Sequence, residues 1–118
     1  MRYERLLTKP LYVSPAFIDI CGGDGTCGIL LDHLYIVCLD GPKPLSYREL
    51  RESTYLSKTA LNRARGLLKR IGYIGEEMKG ATLMYTVNYA AIHAEVDKWL
   101  SDLDYEHDQI HFKAQGVE

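Results

Sequence analysis

No stretch of this sequence approaches the roughly 18 consecutive apolar residues of a membrane-spanning helix, which excludes an integral helical membrane protein. The opening MRYERLLTKP is polar and lacks the apolar segment of a secretory signal, so the chain is expected in the cytoplasm. Cysteine occurs three times. An odd count without a secretory context points to reduced thiols and away from a disulfide framework. Internal repeats and low-complexity tracts are missing. So are the groupings that chemistry needs, a nucleophile with its base, a carboxylate pair or a metal-ligand motif, and an enzyme is not expected. The most localised absence is of acid: between Glu52 and Glu76 there are five basic residues and no Asp or Glu. The remainder holds nine basic and sixteen acidic residues, a charge of +5 in the stretch against −7 elsewhere.

What is present fits one domain. A chain of 118 residues, 47% hydrophobic and 25% charged, can bury a single core. The organising stretch is PLSYRELRESTYLSKTALNRARGLLKRIGYI, Pro44 to Ile74. Ser46 and Glu49 form a capping box, with Leu45 and Leu50 at the positions of a hydrophobic staple. Ser57 is a second N-cap, again between staple leucines, Leu56 and Leu61. The pattern is helix, short turn, helix. Along the second helix, about Lys58 to Ile71, residues Ala60, Leu61, Ala64, Leu67, Leu68 and Ile71 share one arc. Lys58, Thr59, Asn62, Arg63, Arg65, Gly66, Lys69 and Arg70 fill the other. That basic face would suit a polyanion, although charged residues also serve simply as a solvated surface.

Before this stretch, Arg2 to Val13 reads as an arm or short strand, and residues 1–15 as an N-terminal arm. Phe17 to Ile20 reads as a helical turn stopped by Gly22, Gly23 and Gly25. That glycine loop lacks the Lys and Ser of a phosphate-binding loop and is expected to be a turn. Thr26 caps an apolar helix, Cys27 to Leu39, closed by Asp40, Gly41 and Pro42. Cys27 and Cys38 stand eleven residues apart, about 16 Å along a helix, too far for one tetrahedral site. No metal and no cofactor are expected, and the cysteines are read as buried thiols.

After it, Gly72 ends the helix and Tyr73, Ile74 and Gly75 enter a strand. Glu76 to Gly80 is expected to turn, and Ala81 to Val87 to return as the second strand of a hairpin. Asn88 caps a last helix, Tyr89 to about Leu103, and residues 104–118 are expected to form a frayed polar tail. Tyr89, Ile92, Val96, Trp99 and Leu103 advance along it by three, four, three and four. Such a seam either covers the domain's own core or pairs with a second copy.

LSYRELRESTYLSKTALNRARGLLKRIGYI, preceded by the apolar ILLDHLYIVCLDG and followed by a hairpin ending in YTVN, resembles the winged helix-turn-helix superfamily. The likeness covers Cys27 to Asn88 and is strongest to the DNA-binding domains of phage and plasmid replication proteins and related regulators. It implies an α+β, mostly α fold with a two-stranded wing and an additional C-terminal helix. It further implies that Ser57 to Ile71 is a recognition helix in the major groove of double-stranded DNA. Lys58, Thr59, Asn62, Arg63, Gly66, Lys69 and Arg70 would then face DNA, with Lys79 on the wing. Arg can bond guanine through two hydrogen bonds and Asn adenine, while Lys and Thr hold phosphate. Two departures stand out: Tyr55 occupies the turn where the family often has glycine, and Glu76 and Glu77 are expected at the wing tip.

The expected function is duplex-DNA binding in replication, partition or transcription control of a phage, plasmid or prokaryotic genome. The alternative is a winged helix that docks proteins, for which the acidic wing and acidic last helix speak. A homodimer through Tyr89, Ile92, Val96, Trp99 and Leu103 is expected, anchored by Trp99, because pairing two recognition helices doubles the site.

Overall fold

The computed structural model describes the backbone of residues 13–114 and the side chains of residues 13–103. The expected N-terminal arm therefore lies almost entirely outside the described residues. Among these residues the chain forms five helices and a three-stranded antiparallel sheet, an α+β fold that is mostly helical. The order is α1 (Pro15–Ile20), α2 (Gly25–Val37), β1 (Lys43–Pro44), α3 (Tyr47–Thr54), α4 (Lys58–Ile71), β2 (Ile74–Lys79), β3 (Thr82–Val87) and α5 (Tyr89–Ala114).

Local chemistry sets most of these boundaries. The Ser46 hydroxyl accepts from the Glu49 amide at 3.0 Å and starts α3. Ser57 accepts from Ala60 at 3.1 Å and starts α4. The Asn88 side chain accepts from Ala91 at 3.1 Å and starts α5. Each bond satisfies an amide that the first helical turn would otherwise leave unpaired. Gly72 ends α4 in the left-handed conformation, φ 98°, with its amide donating to the Leu68 carbonyl.

The turn between α3 and α4 asks more of its residues. Tyr55 caps α3 at φ 60°, the one non-glycine residue with positive φ among those described. Its cost is met by a local network: buried Thr54 donates to the Leu50 carbonyl at 2.6 Å, and the Leu56 amide donates to Thr54 Oγ1 at 3.3 Å. Across the turn, the Tyr47 hydroxyl donates to the Lys58 carbonyl at 2.9 Å and fixes the two helices at their shared corner.

Leu30, Leu31 and Leu34 of α2, Leu50 of α3 and Leu61, Ala64 and Leu68 of α4 meet in one core. Tyr73, Ile74, Tyr85 and Ile92 close it from the sheet and α5. α2 lies against α4, and α1 packs on both α2 and α5. The first of these helices comes very near the second. A Cβ on Gly28 would stand 2.8 Å from Ile18 Cγ1 and 3.1 Å from its Cα, so glycine is what permits the approach.

The structure corrects several expectations. α2 is capped by Asp24, not Thr26: an Asp24 carboxylate oxygen accepts from the Cys27 amide at 3.1 Å, so the helix begins at Gly25 and not at Cys27. It ends at Val37, with Cys38 as its cap and Leu39 exposed beyond. A strand not anticipated, β1, pairs Lys43 with Tyr85 and Pro44 with Met84, giving the sheet order β1-β3-β2. Proline is tolerated there because the strand is an edge. The hairpin turn is Gly80–Ala81 alone, and Glu76 lies inside the ladder opposite Tyr85. Ile71, assigned to the apolar arc, is 42% exposed at the end of α4. Finally, α5 does not fray after Leu103 but runs to Ala114. No glycine or proline interrupts residues 89–114, and polarity alone does not end a helix. Residues 115–118 of the expected tail lie outside the described residues.

Replacing Tyr55 with glycine removes the left-handed penalty of about 1 kcal/mol or more, partly offset by glycine's greater freedom when unfolded. Tyr55→Gly is expected to raise stability by about 0.5–1 kcal/mol in urea denaturation. A loss of stability would show that the phenol ring carries packing that outweighs the strain.

Candidate nucleic-acid interface

The face of α4 turned from the core has an uncharged centre and charged edges. Asn62, Gly66 and Thr59 run down its middle, and Lys58 and Arg70 stand beside them, exposed. The remaining three cations are engaged within the chain. At one edge Arg65 donates to both oxygens of Glu76, at 2.8 and 3.0 Å, and Lys69 reaches the second oxygen at 3.0 Å. At the other edge Arg63 donates to both oxygens of Asp24, at 2.5 and 3.4 Å. Two carboxylates thus flank a stretch that is free of acid in sequence. Distant segments supply them, Asp24 from the start of α2 and Glu76 from β2.

The two edges differ in kind. Glu76 is structural: its side chain is only 8% exposed and that of Arg65 18%. Arg65 also lies 5.9 Å from the centre of the Tyr85 ring and donates to Asn62 Oδ1 at 3.2 Å. Burial pushes the Glu76 carboxyl up, but the hydrogen bonds from Arg65 and Lys69 outweigh it and hold it below its ordinary value. The Asp24 pair is more open, with the Arg63 side chain 54% and the Asp24 side chain 22% exposed. The bond from Arg63, followed by that from the Cys27 amide, lowers the Asp24 pKa.

Of the residues expected to face a ligand, then, Lys58, Thr59, Asn62 and Arg70 are presented directly. Arg63 is presented under restraint, and Lys69 is half-committed to the hairpin. Among the described residues neither Lys58 nor Arg70 has an ion-pair partner. Lys79 stands exposed at the end of β2, beside the turn, with Glu77 two residues before it on the same strand. Gly66 sits where an added Cβ would meet nothing within 4 Å. The fold gives no steric reason for glycine in the interior of a helix, where it weakens the helix relative to alanine.

An open groove of about 600 Å³ lies along α3 and the turn after it, lined by Tyr47, Arg48, Arg51, Glu52, Tyr55 and Leu56. Arg48 is paired with Glu52 along the helix at 2.9 Å. Arg51, on α3, and the exposed Tyr55, in the turn, are not among the residues expected to face a ligand. The signal for Arg51 is the polar face of α3, on which Arg48, Arg51 and Glu52 are all exposed.

The expected dimerisation seam divides in two. Ile92 is fully buried in the domain's own core, and Val96 packs against that core. The Tyr89 hydroxyl donates to the Tyr35 carbonyl at 2.8 Å, and its ring meets Tyr35 edge-on at 4.9 Å. These three residues are committed within the chain because α1 and α2 reach up against the first turns of α5. Trp99 is half-buried, and Leu103, with neighbouring Leu100, is exposed at 46% and 45%.

Cys21, Cys27 and Cys38 are free, buried thiols. Burial, reinforced by neighbouring negative charge, pushes Cys21 up to about 12 and Cys27 up to about 11, so neither is a nucleophile near neutral pH. Among the described residues no three His, Cys, Asp or Glu side chains gather to hold a metal ion. Nor is any helix there long and apolar enough to cross a membrane.

The Glu76 geometry sets a pH dependence. A carboxyl whose pKa is lower folded than unfolded stabilises the fold above its unfolded value, and the contribution fades as pH falls through the folded value. Stability is therefore expected to fall with pH below about 4.5. Glu76→Gln should cost about 2 kcal/mol at pH 7, since it leaves Arg65 without its counter-charge. It should also flatten the slope of stability in that acid window. Urea midpoints measured from pH 7 to pH 3 would check this, and parallel slopes in parent and variant would refute it.

Comparison of the chain with protein-family models, with curated proteins and with solved structures finds no match.

Proposed function

We propose that the chain is a winged helix-turn-helix protein that binds double-stranded DNA. In this reading α3 and α4 are the helix-turn-helix, α4 enters the major groove, and the β2–β3 hairpin is the wing. The carrying observation is the face of α4: a polar, uncharged centre able to read base edges, between cations able to hold phosphate. Gly66 supports it. A helix-weakening residue facing open space has a reason if another backbone or a groove wall must come close there. The process served is the control of replication, partition or transcription in a phage, plasmid or prokaryotic genome.

A second reading, a winged helix that docks a protein, is favoured by one observation. Asp24 and Glu76 offset two of the five positive charges on α4, leaving a net +3 where the sequence alone counts +5. A salt titration separates the two readings. Affinity for duplex DNA falls linearly on a logarithmic scale by about 0.9 per phosphate neutralised. Lys58→Ala with Arg70→Ala should weaken binding to all sequences and reduce that slope by about 1.8. Lys69→Ala, tied to Glu76, should do less. Gly66→Ala makes opposite demands: a fold more stable by about 0.5–1 kcal/mol, and DNA binding weakened about tenfold or more if a groove wall must approach. A chain that binds no duplex at 50 mM salt would end the DNA reading in favour of the protein-docking one.

We further propose that two copies pair through the distal part of α5, where Trp99, Leu100 and Leu103 continue past the domain's own core. Pairing would place two α4 helices on successive turns of DNA. Sedimentation of the parent should give twice the chain mass, and Leu100→Glu with Leu103→Glu should restore the single mass without unfolding, since both positions are exposed. A parent of single mass at millimolar concentration would remove the pair.

A further inference from the structure

The Asp24–Arg63 pair has a geometry that bears on which DNA the face would accept. Asp24 is fixed in place by a second task. One of its oxygens caps α2 by accepting from the Cys27 amide at 3.1 Å, while the carboxylate as a whole accepts from both terminal nitrogens of Arg63. Arg63 is a long, half-exposed side chain that can swing away; Asp24 must stay. When Arg63 leaves, it gives up two hydrogen bonds and leaves a negative charge behind.

We propose that Asp24 is a specificity-determining residue, holding Arg63 away from the phosphate backbone and releasing it to a base edge. This rests on the DNA-binding reading above. A phosphate arriving at Arg63 brings negative charge close to a carboxylate that cannot retreat, so part of the attraction is cancelled. A guanine offers two neutral acceptors in the same forked geometry, replacing both lost bonds without that repulsion. The pair therefore handicaps contact with any sequence more than contact with the right one. Charge is set against charge for discrimination rather than affinity, the logic by which specificity is built from a repulsive element as well as an attractive one.

Asp24→Asn isolates the charge, because asparagine is as good an N-cap as aspartate and keeps the bond to Cys27. An unchanged thermal midpoint would confirm that the cap survives. The probes are a duplex of about 20 base pairs of random sequence and the best duplex selected by the parent from a random pool. Freed from its carboxylate, Arg63 should add one phosphate contact. Random-duplex affinity should then rise about three- to tenfold at low salt, with the salt slope steeper by about 0.9. Affinity for the selected duplex should rise less, so the ratio between the two falls. In an Arg63→Ala background the same substitution should leave the slope alone. A parent that binds DNA but whose Asp24→Asn variant shows the same slope and the same ratio overturns the proposal. So does an equal gain in the Arg63→Ala background, which would reduce Asp24 to general charge. A parent that binds no duplex overturns it together with the reading beneath it.

Discussion

Glu76 is the residue on which the arrangement of this surface turns. Its carboxylate sits beneath the hairpin with almost no access to water, bonded by Arg65 and Lys69, which are four residues and one helical turn apart on α4. Three charge-assisted bonds of 2.8–3.0 Å tie helix to strand at one point. The Tyr85 ring, directly across the ladder and beside Arg65, closes that point from the sheet side. The tie adds a polar clasp to the apolar contact, in which Tyr73, Ile74 and Tyr85 share one core with Leu61, Ala64 and Leu68 of α4. With it, the angle between the hairpin and α4 is set, and so is the side of α4 that remains open.

The same interaction shows where sequence reasoning stopped. Helix starts were legible because Ser46, Ser57 and Asn88 act through bonds to amides three residues away, a local event that a local pattern records. The αL cap at Gly72 belongs to the same class. Glu76, expected in the turn from Glu76 to Gly80, lies inside the ladder. Its partners lie eleven and seven residues upstream, on another element, and the turn at Gly72 is what sends β2 back alongside them. Asp24, two positions before the expected cap Thr26, is the residue that caps α2. Its contact with Arg63 spans 39 positions, beyond any periodicity. The charge lopsidedness of Lys58 to Arg70 was real as sequence and incomplete as electrostatics, since the missing acids arrive from elsewhere.

The last helix gives a related lesson about seams. A three-four repeat states that a helix has an apolar side, but says nothing of what covers it. In α5 the cover changes along the length: Tyr89, Ile92 and Val96 are covered by α1, α2 and the core, whereas Leu100 and Leu103 are not. The boundary lies near Trp99, which is half-buried. Helix length follows a similar rule: the tail expected to fray is polar, but no breaking residue stops the helix before Ala114.

The hairpin leaves the domain and returns to nearly the same point. Ile74 pairs with Val87, and the Asn88 amide donates to the Tyr73 carbonyl at 2.8 Å, so entry and exit are stitched together at the base. The outer half, from Glu77 to Leu83, has only one inward hydrophobic contact with the core, through Leu83. Its length is thus a free parameter of the architecture. Two residues inserted on each side of Gly80–Ala81 would extend the projection by about 7 Å and, being an even number, would preserve which side chains face α4. Neither α4 nor α5 would have to move. Reach could be retuned by lineage or by design while the body of the protein stays as it is.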